Sequence, residues 1–100
     1  MRELLFKDVY AMSRILKKME IKVDTEGKTV DQAGGELIIR IMENLHLAEK
    51  EVNNFLGDLV GMKGEEVAKL PISKSIEYFE EFKKLPGIND FLASVGRLTK

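Results

Sequence analysis

The chain carries few side chains that do chemistry, and their spacing forms none of the common catalytic sites. His46 is the single histidine, and the chain has no cysteine, which excludes disulfides, thiol catalysis and the common zinc sites. An imidazole needs a nucleophile or an oriented carboxylate beside it. Glu43 and Glu49 are predicted at helix ends that face water, so a structural role at a helix C-terminus is favoured for His46. The adjacent pairs Glu65-Glu66 and Glu80-Glu81 point about 100° apart on a helix and do not converge.

Two fragments of ligand-binding motifs occur near residue 27, and both are incomplete. Gly27-Lys28-Thr29 has the ending of a phosphate-binding P-loop, but Lys22 stands where the motif needs its first glycine. Asp24 and Glu26 suggest a calcium loop, but the alternating acidic ligands and the terminal glutamate are missing. The segment is therefore predicted to be a solvated loop.

Length and charge limit the class of protein further. The 100 residues fit one domain, and their hydrophobic fraction of 44% is sufficient for one modest core. Sixteen basic and 17 acidic residues give a net charge of −1, whereas nucleic-acid binders usually carry a basic excess. No apolar run approaches the ~20 residues that cross a bilayer, and a secretory signal is not expected at the N-terminus. We therefore expect neither nucleic acid nor membrane as a partner.

The hydrophobic periodicity is helical almost throughout, and no segment shows sustained alternation with period two. The predicted fold class is all-α, a compact bundle of five to six short helices. It forms a single helical domain over residues 1–100, with a polar flexible loop at about 22–30. Gly61 is predicted to end a helix and Pro71 to lie near the start of another. The expected helices cover about 6–20, 31–45, 48–60, 65–69, 71–85 and a short segment from 88.

Each expected helix has an apolar stripe that is predicted to face the core. Gly34 and Gly35 weaken the first turns of the second helix by about 1 kcal/mol each, so its start is placed between Asp31 and Glu36. The main stripes consist of Val9, Met12, Leu16 and Met19; Leu37, Ile38, Ile41, Met42 and Leu45; Val52, Phe55, Leu56 and Leu59; Ile72, Ile76, Phe79 and Phe82; and Ile88, Phe91, Leu92 and Val95.

Apolar side chains away from the stripes are candidates for partner binding. Phe6 and Tyr10 are one turn apart on the first helix, and Ile39 points away from the stripe of the second. Aromatic residues outside the core face are enriched at interfaces, but burial on a second side of the bundle explains these three residues equally well. The short last helix either caps the core, which is favoured, or docks on a partner. Its candidate residues are Phe91, Leu92 and Val95.

One local excess of basic residues occurs on the first helix and just after it. It has no accompanying recognition helix and is balanced by Asp8 and Glu20. An ordinary charged face is therefore favoured over phosphate contacts. The basic residues are Arg14, Lys17, Lys18 and Lys22.

Two long blocks carry a resemblance to a known family. Residues 6–19, FKDVYAMSRILKKM, and 48–62, AEKEVNNFLGDLVGM, resemble the opening and the glycine-stopped helix of tail assembly chaperones of long-tailed phages and prophages of Gram-positive bacteria. The ending is also similar, with a short acidic helix near 65–67, then 76–85, then Phe91-Leu92. The blocks cover nearly the whole chain. Departures from the pattern are the pair Gly34-Gly35, and Gly64 where a Ser or Thr cap is expected.

The resemblance implies a role in assembly without catalysis, cofactor or metal. Such chaperones bind the tape measure protein before the tail tube polymerises around it, and they tend to self-associate. In many relatives a longer, frameshifted product carries an extension that helps to recruit the tail tube protein, and this chain would correspond to the short product. The resemblance implies location in the cytoplasm of the host bacterium and absence from the mature virion. Large exposed apolar stretches aggregate, and a helical protein covers them by helix-in-groove packing. A helical DNA-binding regulator, another small helical protein-interaction module, and a small enzyme or metal protein remain the alternatives.

Overall fold

The structure is a computed structural model that describes residues 1–22, 27 and 29–98. Within these ranges the chain is all-α, as predicted, with six α-helices, one short 3₁₀ helix and no β-strand. The bundle measures 38 × 27 × 24 Å. Most of the loop predicted at 22–30 lies outside the described residues. The elements are α1 (Phe6–Lys18), α2 (Val30–Glu43), the 3₁₀ helix (Leu45–Leu47), α3 (Glu49–Val60), α4 (Gly64–Ala68), α5 (Ile72–Lys83) and α6 (Ile88–Leu98).

Side-chain and backbone hydrogen bonds determine where α1 begins and ends. The N-cap is Leu5, whose N–H donates to Oδ2 of Asp8 at 2.8 Å, so a carboxylate inside the first turn satisfies the cap. At the other end Glu20 has a φ of 60°, and the N–H of Ile21 donates to the carbonyl of Leu16 at 2.9 Å. This left-handed residue stops α1 at Lys18, two residues before the predicted end.

A capping box starts α2 at Val30, one residue before the predicted range of Asp31 to Glu36. Thr29 Oγ1 accepts the N–H of Gln32 at 3.1 Å, and Gln32 Oε1 accepts the N–H of Thr29 at 3.1 Å. The helix continues through both glycines. A Cβ on Gly34 would lie 2.5 Å from Cδ1 of Leu92 on α6, whereas a Cβ on Gly35 meets no atom within 4 Å. Close packing of α2 on α6 therefore explains why residue 34 is glycine, but it gives no reason for glycine at residue 35.

The turn between α3 and α4 depends on close backbone contacts. Gly61 has a φ of 78° and ends α3, as predicted, and the N–H of Met62 donates to the carbonyl of Gly57 at 2.9 Å. A Cβ on Gly57 would lie 2.5 Å from the carbonyl oxygen of Met62. Gly64 lies directly against Asn54, which leaves no space for the Ser or Thr side chain expected there.

The core lies between α1, α2, α3 and α6 and is completed by one ring from α5. Phe55, Phe82 and Phe91 meet edge to face, with ring centroids 5.9, 6.0 and 6.3 Å apart. Helix α6 packs against both α1 and α2. The prediction that Phe91, Leu92 and Val95 bind a partner is therefore corrected. All three are buried in this chain's own core, which agrees with the capping role favoured for the last helix.

The predicted stripe of α5 is only half correct. Phe82 is buried and Phe79 packs partly against the core, but Ile72 is 80% and Ile76 49% exposed. Phe82 is the one buried residue of α5, because the core does not reach the first half of this helix. Met42, predicted in the α2 stripe, is also exposed. We call Ile72 and Ile76 the α5 isoleucines.

Candidate partner-binding surface

Two exposed aromatic side chains lie together at the start of α1. The ring centroids of Phe6 and Tyr10 are 5.1 Å apart with an interplanar angle of 39°. Phe6 is 68% and Tyr10 48% exposed. The buried side of α1 carries Val9 and Met12 instead, so this aromatic pair points away from the core. The structure thus places both predicted residues at the surface, and their binding role remains a prediction.

The other exposed apolar residues lie on other helices. Ile39 is exposed on α2, where it was predicted to point away from the core stripe. The α5 isoleucines form a second exposed pair with the same four-residue spacing as the aromatic pair. Sequence reasoning placed them in the core, because an amphipathic stripe looks the same whether its partner lies in the same chain or elsewhere.

A small apolar cleft in the core is too small for a ligand. Its volume is about 20 Å³, and its lining comes from α1, α2, α3 and α5, including Ile15, Ile38 and Phe55. That volume is close to the minimum for one water molecule, and the wall is entirely apolar. The cleft is thus a packing defect, and small-molecule chemistry is not expected there.

The two closely spaced carboxylates near the N-terminus are engaged in structure. Nη1 and Nη2 of Arg2 donate to the two carboxylate oxygens of Asp8, at 2.7 and 2.8 Å. Nη2 also donates to Oδ2 of Asp58 at 2.6 Å. Lys7 pairs with Asp58 at 3.0 Å. The N–H of Arg2 also donates to the carbonyl of Leu59 at 2.9 Å. This N-terminal clasp of Arg2, Asp8 and Asp58 fastens the first residues to α1 and α3.

The hydrogen bonds of the clasp favour the ionised form of both carboxylates. Burial by itself raises the pKa of Asp8, but hydrogen bonds from Arg2 and from the N–H of Leu5 outweigh it and keep that pKa below its ordinary value. The hydrogen bonds from Lys7 and Arg2 likewise lower the pKa of Asp58. A general acid or base needs a pKa moved toward neutrality, so these carboxylates are unsuited to proton transfer near pH 7.

The remaining polar groups form no metal or membrane site in the described part of the chain. His46 is exposed in the 3₁₀ helix. Among residues 1–22, 27 and 29–98, no group of three or more His, Cys, Asp or Glu side chains converges to hold a metal ion. No helix in these ranges has the length and apolar character that crossing a membrane requires.

The basic residues of α1 divide into two sets. Lys18 turns toward α3 and pairs with Glu51 at 2.8 Å. Arg14 and Lys17 instead line a groove with Lys22, at the C-terminal end of α1. The groove has a volume of about 540 Å³ and also includes Glu20, Ser13, Ile21 and Leu98. We call it the basic groove. The sequence shows the basic residues of the groove. It does not show that Leu98, far along the chain, lies beside α1 and lines the groove with them.

No known protein family, characterised protein or solved structure matches this chain significantly. Two exposed surfaces remain as candidates for binding, the aromatic pair and the basic groove, and both include residues of α1.

Proposed function

We propose that this protein is a tail assembly chaperone of a long-tailed phage or prophage, which binds the tape measure protein and supports tail tube assembly without catalysing a reaction. The observation that carries the proposal is the aromatic pair, since the rings of Phe6 and Tyr10 lie side by side and exposed on one helix. Aromatic side chains are the commonest anchors of protein interfaces. The family resemblance supplies the identity of the partner.

The aromatic pair suits a contact that must later be released. Phenylalanine and tyrosine bury on the order of 150–250 Å² each when fully covered. Covering the exposed parts of both rings therefore contributes roughly 5 kcal/mol before the costs of association. A site of this size holds a partner reversibly unless other contacts add to it. A chaperone that is displaced as the tube polymerises needs that reversibility.

The wider role follows from the same resemblance. The chaperone acts in the cytoplasm of the host bacterium, covers apolar stretches of the tape measure protein, and leaves before the virion is complete. The tail tube protein is the second partner that the resemblance implies. Self-association is part of the proposal, and Ile39 offers further exposed apolar area for it.

Co-expression with a tape measure protein from the same genome tests the proposal. Wild-type chain is expected to increase the soluble fraction of the tape measure protein and to co-purify with it. The double variant Phe6→Ser, Tyr10→Ser is expected to lose most of this effect. The matched control is Ile72→Ser, Ile76→Ser, which removes two apolar side chains of similar exposure and spacing from α5.

The results separate the role from the site. If the wild-type chain leaves the solubility of the tape measure protein unchanged and no complex forms, the proposed function is wrong. If both double variants bind as wild type does, the role stands but the aromatic pair is not its site. Thermal unfolding of each variant shows whether a loss of binding comes from misfolding.

A further inference from the structure

The basic groove concentrates positive charge on a protein whose net charge is −1. Arg14, Lys17 and Lys22 line it, and Glu20 is the acidic side chain among the described residues of its wall. Arg40 of α2 reaches the same place, because its Nη1 donates to the carbonyl of Lys22 at 3.3 Å. Among the described residues, three cations therefore line the groove together with one carboxylate, and the cation of Arg40 lies beside Lys22.

The aromatic pair and the basic groove belong to one continuous face of α1. Phe6, Tyr10, Arg14 and Lys17 follow each other at spacings of four, four and three residues, so their side chains are neighbours along the helix surface. All four are exposed. From Phe6 to Lys17 the face is about 17 Å long at 1.5 Å per residue. It is aromatic at its N-terminal end and basic at its C-terminal end.

Glu20 adds a second observation at the groove. It adopts a left-handed backbone conformation, with a φ of 60°, which is unfavourable for a residue other than glycine. Its carboxylate also lies beyond the negative end of α1, where a negative charge is unfavourable. The Ser13 hydroxyl in the groove wall has no hydrogen-bond partner among the described residues. These features give no evident benefit to stability and are of the kind that mark a binding site.

From this arrangement we infer that the α1 face binds an acidic amphipathic helix of a partner protein. Its apolar side chains cover the aromatic pair, and its carboxylates pair with Arg14, Lys17 and Lys22. The inference rests on the proposed function, because it takes the partner to be a protein. Beyond that function, it specifies the chemistry of the segment that the protein binds. A partner helix of about three turns matches the length of the face.

A protein segment fits this face better than a nucleic acid does. A long polyanion responds to the charge of the whole molecule, which is slightly negative. A short helix with a few carboxylates needs only the local group of cations, whereas a nucleic acid binds through many phosphate contacts along an extended basic surface. The exposed Leu98 at the groove also offers apolar contact that phosphates do not use.

Peptide binding by the intact protein tests the inference directly. One probe is a fluorescent amphipathic peptide of about 15 residues with a leucine stripe flanked by glutamates, and its counterpart has glutamine at each glutamate position. At low ionic strength the glutamate peptide is expected to bind about tenfold more tightly in fluorescence anisotropy, and the difference is expected to shrink as salt is added. Equal affinity of the two peptides would overturn the inference.

Matched variants locate the contact. Arg14→Gln, Lys17→Gln is expected to weaken binding of the glutamate peptide about tenfold, and Glu20→Gln to strengthen it a few-fold. Lys69→Gln, Lys84→Gln removes the same charge from two exposed positions outside the groove and is expected to bind as wild type. An equal loss in this control, or tighter binding of single-stranded DNA than of the glutamate peptide, contradicts the inference.

The same variants distinguish this inference from the proposed function. The tape measure protein could co-purify with the wild-type chain while the two peptides bind equally and the groove variants bind as wild type does. In that case the acidic-helix inference fails and the chaperone role stands. If the peptide results are as expected but no tape measure protein co-purifies, the chaperone role fails and the groove remains a protein-binding site.

Discussion

Replacing Gly57 with alanine is expected to destabilise the protein, whereas replacing Gly35 with alanine is expected to stabilise it. Both glycines lie inside α-helices, where alanine is favoured over glycine by about 1 kcal/mol. The gain in helix propensity from alanine is therefore the same at both positions. They differ only in the atoms that the added methyl group contacts.

The surroundings determine the sign at each site. At Gly35 no atom lies within 4 Å of a new Cβ, so the full gain of about 0.5–1 kcal/mol is expected. At Gly57 the new Cβ would lie 2.5 Å from the backbone carbonyl oxygen of Met62. This oxygen cannot move away easily, because the N–H of Met62 is hydrogen-bonded to the carbonyl of Gly57. Moving this turn costs about 1–3 kcal/mol in strain and about 1 kcal/mol in the weakened hydrogen bond. The net effect is a loss of about 1–3 kcal/mol.

Urea unfolding followed by far-ultraviolet circular dichroism measures both variants against wild type. The two variants are expected to differ in free energy of unfolding by about 2–4 kcal/mol, and in Tm by on the order of 10–20 °C for a domain of this size. Equal stability of Gly57→Ala and Gly35→Ala would refute the reasoning, because the close approach of Met62 would then have no energetic consequence.

Two further predictions concern stability. The pKa values of Asp8 and Asp58 are lowered in the folded state, so the stability from the N-terminal clasp is complete above the unfolded pKa near 3.8 and is lost as the pH falls through the folded values. Asp8→Asn is accordingly expected to lower the free energy of unfolding by about 2 kcal/mol at neutral pH and by progressively less in acid. Urea unfolding of both proteins at several pH values checks this. If wild type and variant differ as much at low pH as at neutral pH, the prediction is wrong. Glu20→Gly is expected to stabilise by about 0.5–1 kcal/mol, since glycine adopts the left-handed conformation without strain; a lower Tm for this variant would contradict the assignment.

Local chemistry made much of the fold predictable from the sequence. The helical period, the left-handed stop at Gly61 and the helix start after Pro71 each depend on a few neighbouring residues, and the structure confirms them. The end of α1 was misplaced, because a glutamate at residue 20 gives no signal of a left-handed stop. Glycine or asparagine at that position is the usual marker.

The candidate site was predictable only in part, for a physical reason. Periodicity shows which face of a helix is apolar, but not which other element covers it. The aromatic pair was found because it lies off the stripe of α1. The α5 isoleucines and Phe91 gave the same amphipathic signal, yet the former remain in solvent and the latter enters the core.

The sequence by itself determined the class of the protein: an all-α chain, poor in catalytic side chains, with apolar side chains left over on α1. Only the tertiary structure decided which helix faces are exposed, why Gly34 lies where it does, and that Arg2 joins Asp8 to Asp58. It also brought Arg14, Lys17 and Lys22 together along one groove, with Arg40 hydrogen-bonded to the carbonyl of Lys22. Each of these depends on contacts between residues distant in the chain, which arise only when the helices pack.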